Sequence, residues 1–271
     1  MTSKLLDTMN FSTLFGFLIC AAILAFSVLE SQGAKAILLN SHAILIVCGG
    51  TLAATIVSFP LPKVIRLSFL ACKRILGARR YDYQSIIREV ISASAITQSN
   101  PSPDALKMQA AKVTNLFLRE GLELLANGVT EEQLSEIMGT RIDTFKRRHQ
   151  MEAKMFQTIG KFPPAFGLLG TTLGMITLLN QLGGADAQKL VGPAMAIGLV
   201  ATLYGIALAN FIFIPISENL TMLSSEDHAA RKMILQGLIM LKRKMHPILV
   251  EESMKSFLLP SERPAISQKV A

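Results

Sequence analysis

The chain has 271 residues, a formal net charge of +8, 51% hydrophobic residues and 17% charged ones, with a mean hydropathy of +0.43. It is too apolar for an ordinary soluble domain and too charged to lie wholly within a membrane. Three cysteines without a CxxC pair, and four scattered histidines (His42, His149, His228, His246) without an HExxH motif, give no metal or nucleophile signature.

The apolar residues fall in four blocks, 11–29, 36–59, 162–182 and 190–217, that contain no Asp, Glu, Lys or Arg. Each is long enough to cross a hydrocarbon core of about 30 Å at about 1.5 Å per residue, so four transmembrane helices are predicted. The first is too long an apolar run for a cleaved signal peptide, and no small-residue cleavage site stands out after it. Cys20 and Cys48 fall inside these blocks and Cys72 just past one, as small packing residues. "SFPLPKVIRL" (58–67) ends the second span with prolines at the interface.

The long stretch that follows reads as helices. Ile86, Ile87, Val90 and Ile91 recur at helical spacing. Ser102-Pro103-Asp104 is a helix start, Asn127-Gly128 a stop, and Thr130 with Gln133 a capping box. From there one long helix is expected to run to Lys161 and into the third span. No strand pattern, repeat or low-complexity tract is present. The expected fold is an all-α membrane protein with four transmembrane helices and a helical cytoplasmic insert between the second and third. Its segments are a first transmembrane hairpin (1–60), the insert (61–161), a second hairpin (162–217) and a cytoplasmic C-terminal tail (218–271). Residues 60–161 hold 16 Lys/Arg against 10 Asp/Glu, whereas the two short connections hold one basic residue each. The positive-inside rule then puts the insert, the tail and both termini in the cytoplasm. The basic clusters at 146–148 and 242–244 suit lipid headgroups, water or a protein partner, not nucleic acid, for which no signature is present.

The third and fourth spans are unusual in their small residues. Gly167, Gly170, Thr171 and Gly174 fall on one helix face, as do Gly198, Thr202, Gly205 and Ala209. Such stripes permit close helix approach. One reading is tight packing, with each threonine bonded to its own backbone four residues back. The sharper reading turns the stripes towards another helix bundle and makes their hydroxyls the lining of an ion path. No carboxylate lies in any span, so a conducting chain needs a partner that brings the titrating acid. Pro164 and Pro215 lie near the cytoplasmic ends of the third and fourth spans. They are either an ordinary first-turn proline and a helix terminator, or two sites that couple a membrane event to cytoplasmic motion.

"PAFGLLGTTLGMITLL", "GPAMAIGLVATLYGIALANFIFIPI" and "ILIVCGGTLAATIVSFPL", with "FLREGLELLANG" and "RIDTFKRRHQMEAKMF" between them, resemble the flagellar stator A subunit, the MotA/PomA family of the MotA/TolQ/ExbB superfamily. The resemblance implies a homo-oligomeric ring, a pentamer, around a B-type (MotB/PomB-like) partner whose transmembrane Asp carries the ion, with ion flow turning the ring against a rotor switch protein (FliG-like). It implies an inner-membrane, multi-pass protein that needs no cofactor and is not an enzyme. Thr171, Thr172 and Thr202 would line the ion path, Pro164 and Pro215 would couple ion passage to motion, and Gly167, Gly170, Gly174, Gly198 and Gly205 would pack helices.

Two departures stand out. Where family members usually carry a basic pair and an acidic run for rotor contact, this chain reads "SASAITQSNPSPDALKMQ", with Thr97 and Gln98 at the pair. Arg88, Glu89, Asp104 and Lys107 are the nearest charges. Ala201 stands where sodium-type members are expected to carry a second threonine, which favours H+ over Na+ as the transported ion. The alternatives are an energiser of the ExbB/TolQ type, which has three spans, or one serving another non-flagellar machine. A self-sufficient transporter needs an internal ion site or inverted repeats, and neither is visible. Gly170–Gly174 is not a phosphate loop, because it lies in an apolar helix and lacks the lysine.

Overall fold

A computed structural model describes residues 15–16, 18–20, 22–23, 26, 40–76, 82–99, 102–181, 187–258, 260 and 263. The expected first span, 11–29, lies largely outside the described residues, as does most of the connection at 183–189. Among the described residues the chain is all-helical and holds three helices long and apolar enough to cross a membrane. They divide into two compact units, 1–79 with 149–222 and 80–148 with 223–271.

In the first unit, α1 (Ser41–Ser58) is capped by Asn40, whose Oδ1 accepts from the His42 and Ala43 N–H groups. It contains a π turn at Leu45–Gly49. A second helix, α2 (Leu61–Leu76), follows at once. The sequence suggested only a stop there. Pro62 instead occupies the first turn of the new helix, where its missing N–H is not needed. Helix α7 (Phe162–Gln181) and α8 (Ala187–Leu208) pack along their length. Ala43 and Val47 of α1 close against Val200 and Ala201 of α8. Leu67 and Ala71 of α2 pack with Phe156, Ile159 and Leu220.

The second unit has a water-soluble type of core. Helices α3 (Tyr83–Ser99), α4 (Pro103–Lys112), α5 (Leu116–Ala126) and α10 (Pro247–Lys255) enclose Ile87, Leu118, Leu122, Leu134, Met233, Leu238 and Met254, all fully buried. Burial of each such side chain contributes about 1.5–3 kcal/mol. The two long helices α6 (Glu131–Ile159) and α9 (Ile214–Lys242) contribute residues to both units. The predicted punctuation is present. Ser102 Oγ caps α4 by accepting from Ala105 N–H at 3.1 Å. Thr130 and Gln133 form the reciprocal box at 2.9 and 3.2 Å. Gly128 has φ +80°, the left-handed position that ends α5.

The long helix expected to run into the third span does so with a two-residue interruption. Helix α6 stops at Ile159, Gly160 and Lys161 form a turn, and α7 starts at Phe162. Pro163 and Pro164 cannot donate to the carbonyls four residues back, so the ladder must break and restart. The terminator alternative for Pro215 is corrected, since α9 runs on to Lys242. The break is absorbed by a second π turn, Ala209–Phe213, just before the proline.

Candidate functional site

The structure turns the two small-residue stripes towards each other. A Cβ on Gly167 would lie 3.0 Å from Ala201 O and 3.1 Å from Thr202 Cα, and one on Gly174 would lie 2.9 Å from Ala194 O. A Cβ on Gly170 would meet that of Ala201 at 2.5 Å, and one on Gly198 would meet Thr171 Cα at 2.9 Å. Most of these contacts are with backbone, which cannot yield, so glycine is needed for the helices to meet. The expectation that the stripes face another bundle is thereby corrected: in this chain they are the α7–α8 interface. Ala201, fully buried against Gly170, is a packing residue.

Within this interface lies one polar knot. Thr171 Oγ1 is 2.9 Å from Gly198 O and 3.2 Å from Gly167 O. Thr202 Oγ1 is 3.2 Å from Gly198 O and 3.3 Å from Gly167 O. The two hydroxyls are 2.5 Å apart, and either can donate to the other. Each carbonyl also lies in the i−4 ladder of its own helix, and each hydroxyl has one hydrogen to give, so the four oxygens of the cluster keep spare lone pairs that can receive a proton donor or a cation. Thr172 is not part of it. Its hydroxyl donates to Leu168 O at 3.0 Å on an exposed face, a local back-bond.

The two prolines are set close to the same packing seam. Gly205 lets α8 approach the Pro163 carbonyl and Pro164 Cα, where any Cβ would collide. Gly160 lets the α6–α7 turn approach Phe213, whose Cβ would be 3.2 Å from an added Cβ, and Ile214. The side chains of Phe213 and Ile214, just ahead of Pro215, therefore pack on the turn ahead of Pro164. Two residues past Pro215, buried Ser217 donates to Ala153 O at 2.8 Å.

The sequence did not single out Thr51. It is 4% exposed, and its Oγ1 has no hydrogen-bond partner among the described residues. The preceding π turn shifts the carbonyl ladder, and the Gly50 N–H donates to both Ile46 O and Val47 O. The usual i−4 acceptor of Thr51 is thus engaged, whereas Thr55 still reaches Thr51 O at 2.7 Å. The signal, Gly49-Gly50-Thr51, was visible but fell outside the two stripes.

The four charges near the atypical stretch lie in the second unit. Arg88, Asp104 and Lys107 are exposed. Glu89 is engaged within the fold. Its Oε1 accepts from Thr114 N–H at 3.1 Å and ties α3 to the α4–α5 turn. Asp104 sits in the first turn of α4, where a negative charge also complements the helix dipole. Elsewhere in the unit, Arg231 lies between the rings of Phe117 and Phe145, 4.9 and 4.1 Å from their centroids, and pairs with Asp227 at 2.8 Å. Burial holds His228 below the ordinary imidazole range. Lys146 and Lys232 add to this, and Asp143 and Asp227 oppose it.

Fold and site together define a multi-pass helical membrane protein with a close-packed, hydroxyl-bearing helix pair. Residues 109–233 match the sequence model of the MotA/TolQ/ExbB proton channel family. The chain is 25% identical to chemotaxis protein PomA of Vibrio alginolyticus, covering 92% of this chain and 93% of that one. It is 28% identical to motility protein A of Borreliella burgdorferi over 61% of this chain and 63% of that one. The fold matches the flagellar MotAB stator complex structure from Bacillus subtilis at a TM-score of 0.83 and 23% identity, covering 95% of this chain and 100% of that chain. The chain is similar over most of its length to curated PomA and motility protein A chains, and over residues 109–233 to the MotA/TolQ/ExbB proton channel family. That family moves ions and is not enzymatic.

Proposed function

We propose that the chain is the ring-forming subunit of a proton-driven stator in the bacterial cytoplasmic membrane. In this reading it has four spans, the insert (61–161), the tail (218–271) and both termini are cytoplasmic, and a B-type chain supplies the acid. Five copies around that partner are the arrangement suggested by resemblance. The observation that carries the proposal is the Thr171–Thr202 knot, two hydroxyls and two carbonyls drawn together where α7 meets α8. A proton held on the partner's carboxyl meets surplus acceptors there, so the barrier to its transfer falls without a fixed charge in lipid. Protons suit a knot closed on itself at 2.5 Å, because a dehydrated Na+ requires several oxygens to open around it.

Pro164 and Pro215 would pass the event on. Each breaks a backbone ladder where the start of α7 meets the end of the fourth span, so a small shift in the seam can tilt α6 and α9. One proton crossing 100 mV supplies about 2.3 kcal/mol, enough to move a packed seam but not to unfold it. Arg88, Asp104 and Lys107 are the proposed rotor contacts, and Glu89 is left out because Thr114 occupies it.

The test is rotation of tethered cells that lack every stator gene and are complemented with this gene and its B-type neighbour, in buffers with Na+ or with K+ replacing it. Rotation in both buffers is expected. Thr202→Val should abolish it, at least about ten-fold in torque, while membrane levels stay unchanged, because valine keeps the shape and removes the oxygen. Normal rotation in that variant would overturn the role of the knot, and rotation only in Na+ would overturn the proton assignment.

A further inference from the structure

Helix α2, Leu61–Leu76, plays no part in the ion path, yet it has the most segregated surface of the described helices. It begins three residues after the charge-free α1 ends at Ser58. One face, Leu67 and Ala71, packs on Phe156, Ile159 and Leu220. A second face leaves Leu61, Ile65 and Phe69 exposed at 47%, 62% and 72%, one turn apart. Between these faces lie the exposed Lys63 and Arg66. A lysine and an arginine follow at positions 73 and 74 of the sequence. From Phe59 to Arg80 the chain holds six basic residues and no acidic one.

An exposed apolar ridge of three large side chains, bordered by cations and joined directly to a membrane span, fits a surface that is apolar below and anionic above. We infer that α2 lies in the headgroup layer at the cytoplasmic end of α1 and binds anionic phospholipid. The ridge enters the acyl boundary, and the basic sector that begins with Lys63 and Arg66 engages lipid phosphates. The cytoplasmic side rests on the topology proposed above; the lipid contact does not depend on the ion path. The role follows from position. The face of α2 opposite the ridge holds the end of α6 and the start of α9, so lipid would anchor the helix against which they lean.

The chain contains no tryptophan, so Phe69→Trp is a usable reporter. The full chain with its B-type partner is reconstituted in bilayers containing brominated phosphatidylcholine or brominated phosphatidylglycerol at equal mole fraction, and the parent complex is subtracted. Val57→Trp, at a span position 88% exposed, serves as the insertion control. The expected result for Phe69→Trp is a blue-shifted emission, quenched about two-fold or more strongly by the anionic lipid. Replacing Lys63, Arg66, Lys73 and Arg74 with Gln should erase that preference and leave Val57→Trp quenching unchanged. Equal quenching by both lipids overturns the anionic specificity. Quenching of Val57→Trp without quenching of Phe69→Trp overturns the lipid contact and assigns the ridge to protein, such as a second copy of the chain. An unquenched Val57→Trp overturns the membrane topology and this inference with it.

Discussion

Thr171 and Thr202 are instructive because each hydroxyl lies within reach of its own i−4 carbonyl and of its opposite number as well. A threonine alone in a lipid-facing helix satisfies itself on the i−4 carbonyl, as Thr172 and Thr177 do. Only when glycines bring two helices to backbone contact does a hydroxyl find a second set of acceptors across the interface. The glycines are therefore as necessary to the knot as the hydroxyls. Gly198→Ala adds a Cβ 2.9 Å from Thr171 Cα. It should destabilise the complex by about 1–3 kcal/mol, through overpacking against backbone. Thermal unfolding in detergent measures it, and an unchanged midpoint would show that the helices separate freely. His228 offers a test outside the spans. Its folded form favours the neutral ring, whereas the unfolded chain takes up a proton near pH 6.5. Stability is therefore full above that pH and is lost as pH falls below it. His228→Gln should flatten the fall in melting temperature between pH 7.5 and 5.5. An identical slope in the variant would assign the acid sensitivity to other groups.

At the scale of elements, the two π turns and the two prolines are the irregularities that matter. A π turn gives up the α register for one residue, and in lipid that is tolerated only where packing supports it. The turn at Ala209–Phe213 precedes a residue with no N–H to give, so the two defects share one place instead of weakening the span twice. Pro215→Ala restores a donor to the Phe211 carbonyl and removes the reason for the shift. The expected outcome is a more stable helix around position 215, by up to about 3 kcal/mol, with torque reduced several-fold. Tethered-cell rotation beside a melting curve checks both, and full torque in the variant would deny Pro215 a coupling role. Helix α2 is the element the sequence concealed. Its prolines at 60 and 62 read as a stop, and its apolar residues are spaced for two faces at once, one against protein and one exposed.

For the molecule as a whole, the decisive feature is the charge-free character of the spans. All 27 Lys/Arg and 19 Asp/Glu lie outside the four apolar blocks. A chain with hydroxyl oxygens and carbonyls but no carboxylate in its apolar blocks can ease an ion past but cannot carry it. Purified alone and reconstituted in liposomes, this chain is expected to give no proton current above empty vesicles, and with its B-type partner it should conduct. A specific current from the lone chain would mean that an acid-free path suffices.

Sequence alone determined the class of this protein. Charge-free blocks of this length read as membrane helices, because a helix satisfies every backbone polar group within the segment when it is buried in lipid. The caps at Ser102 and Thr130 and the left-handed Gly128 were legible because each is settled between near neighbours in the chain. The small-residue stripes were legible as stripes. What they face was not, since periodicity defines a helix face and says nothing of its partner. Tertiary structure decided that the stripes close on each other and that Thr202 meets Thr171 while Thr172 does not. It also decided that Glu89 is tied to Thr114, and that Thr51 is stranded behind a π turn. These are outcomes of distances between residues far apart in the chain, set by which backbones can approach, and no spacing along a single helix encodes them.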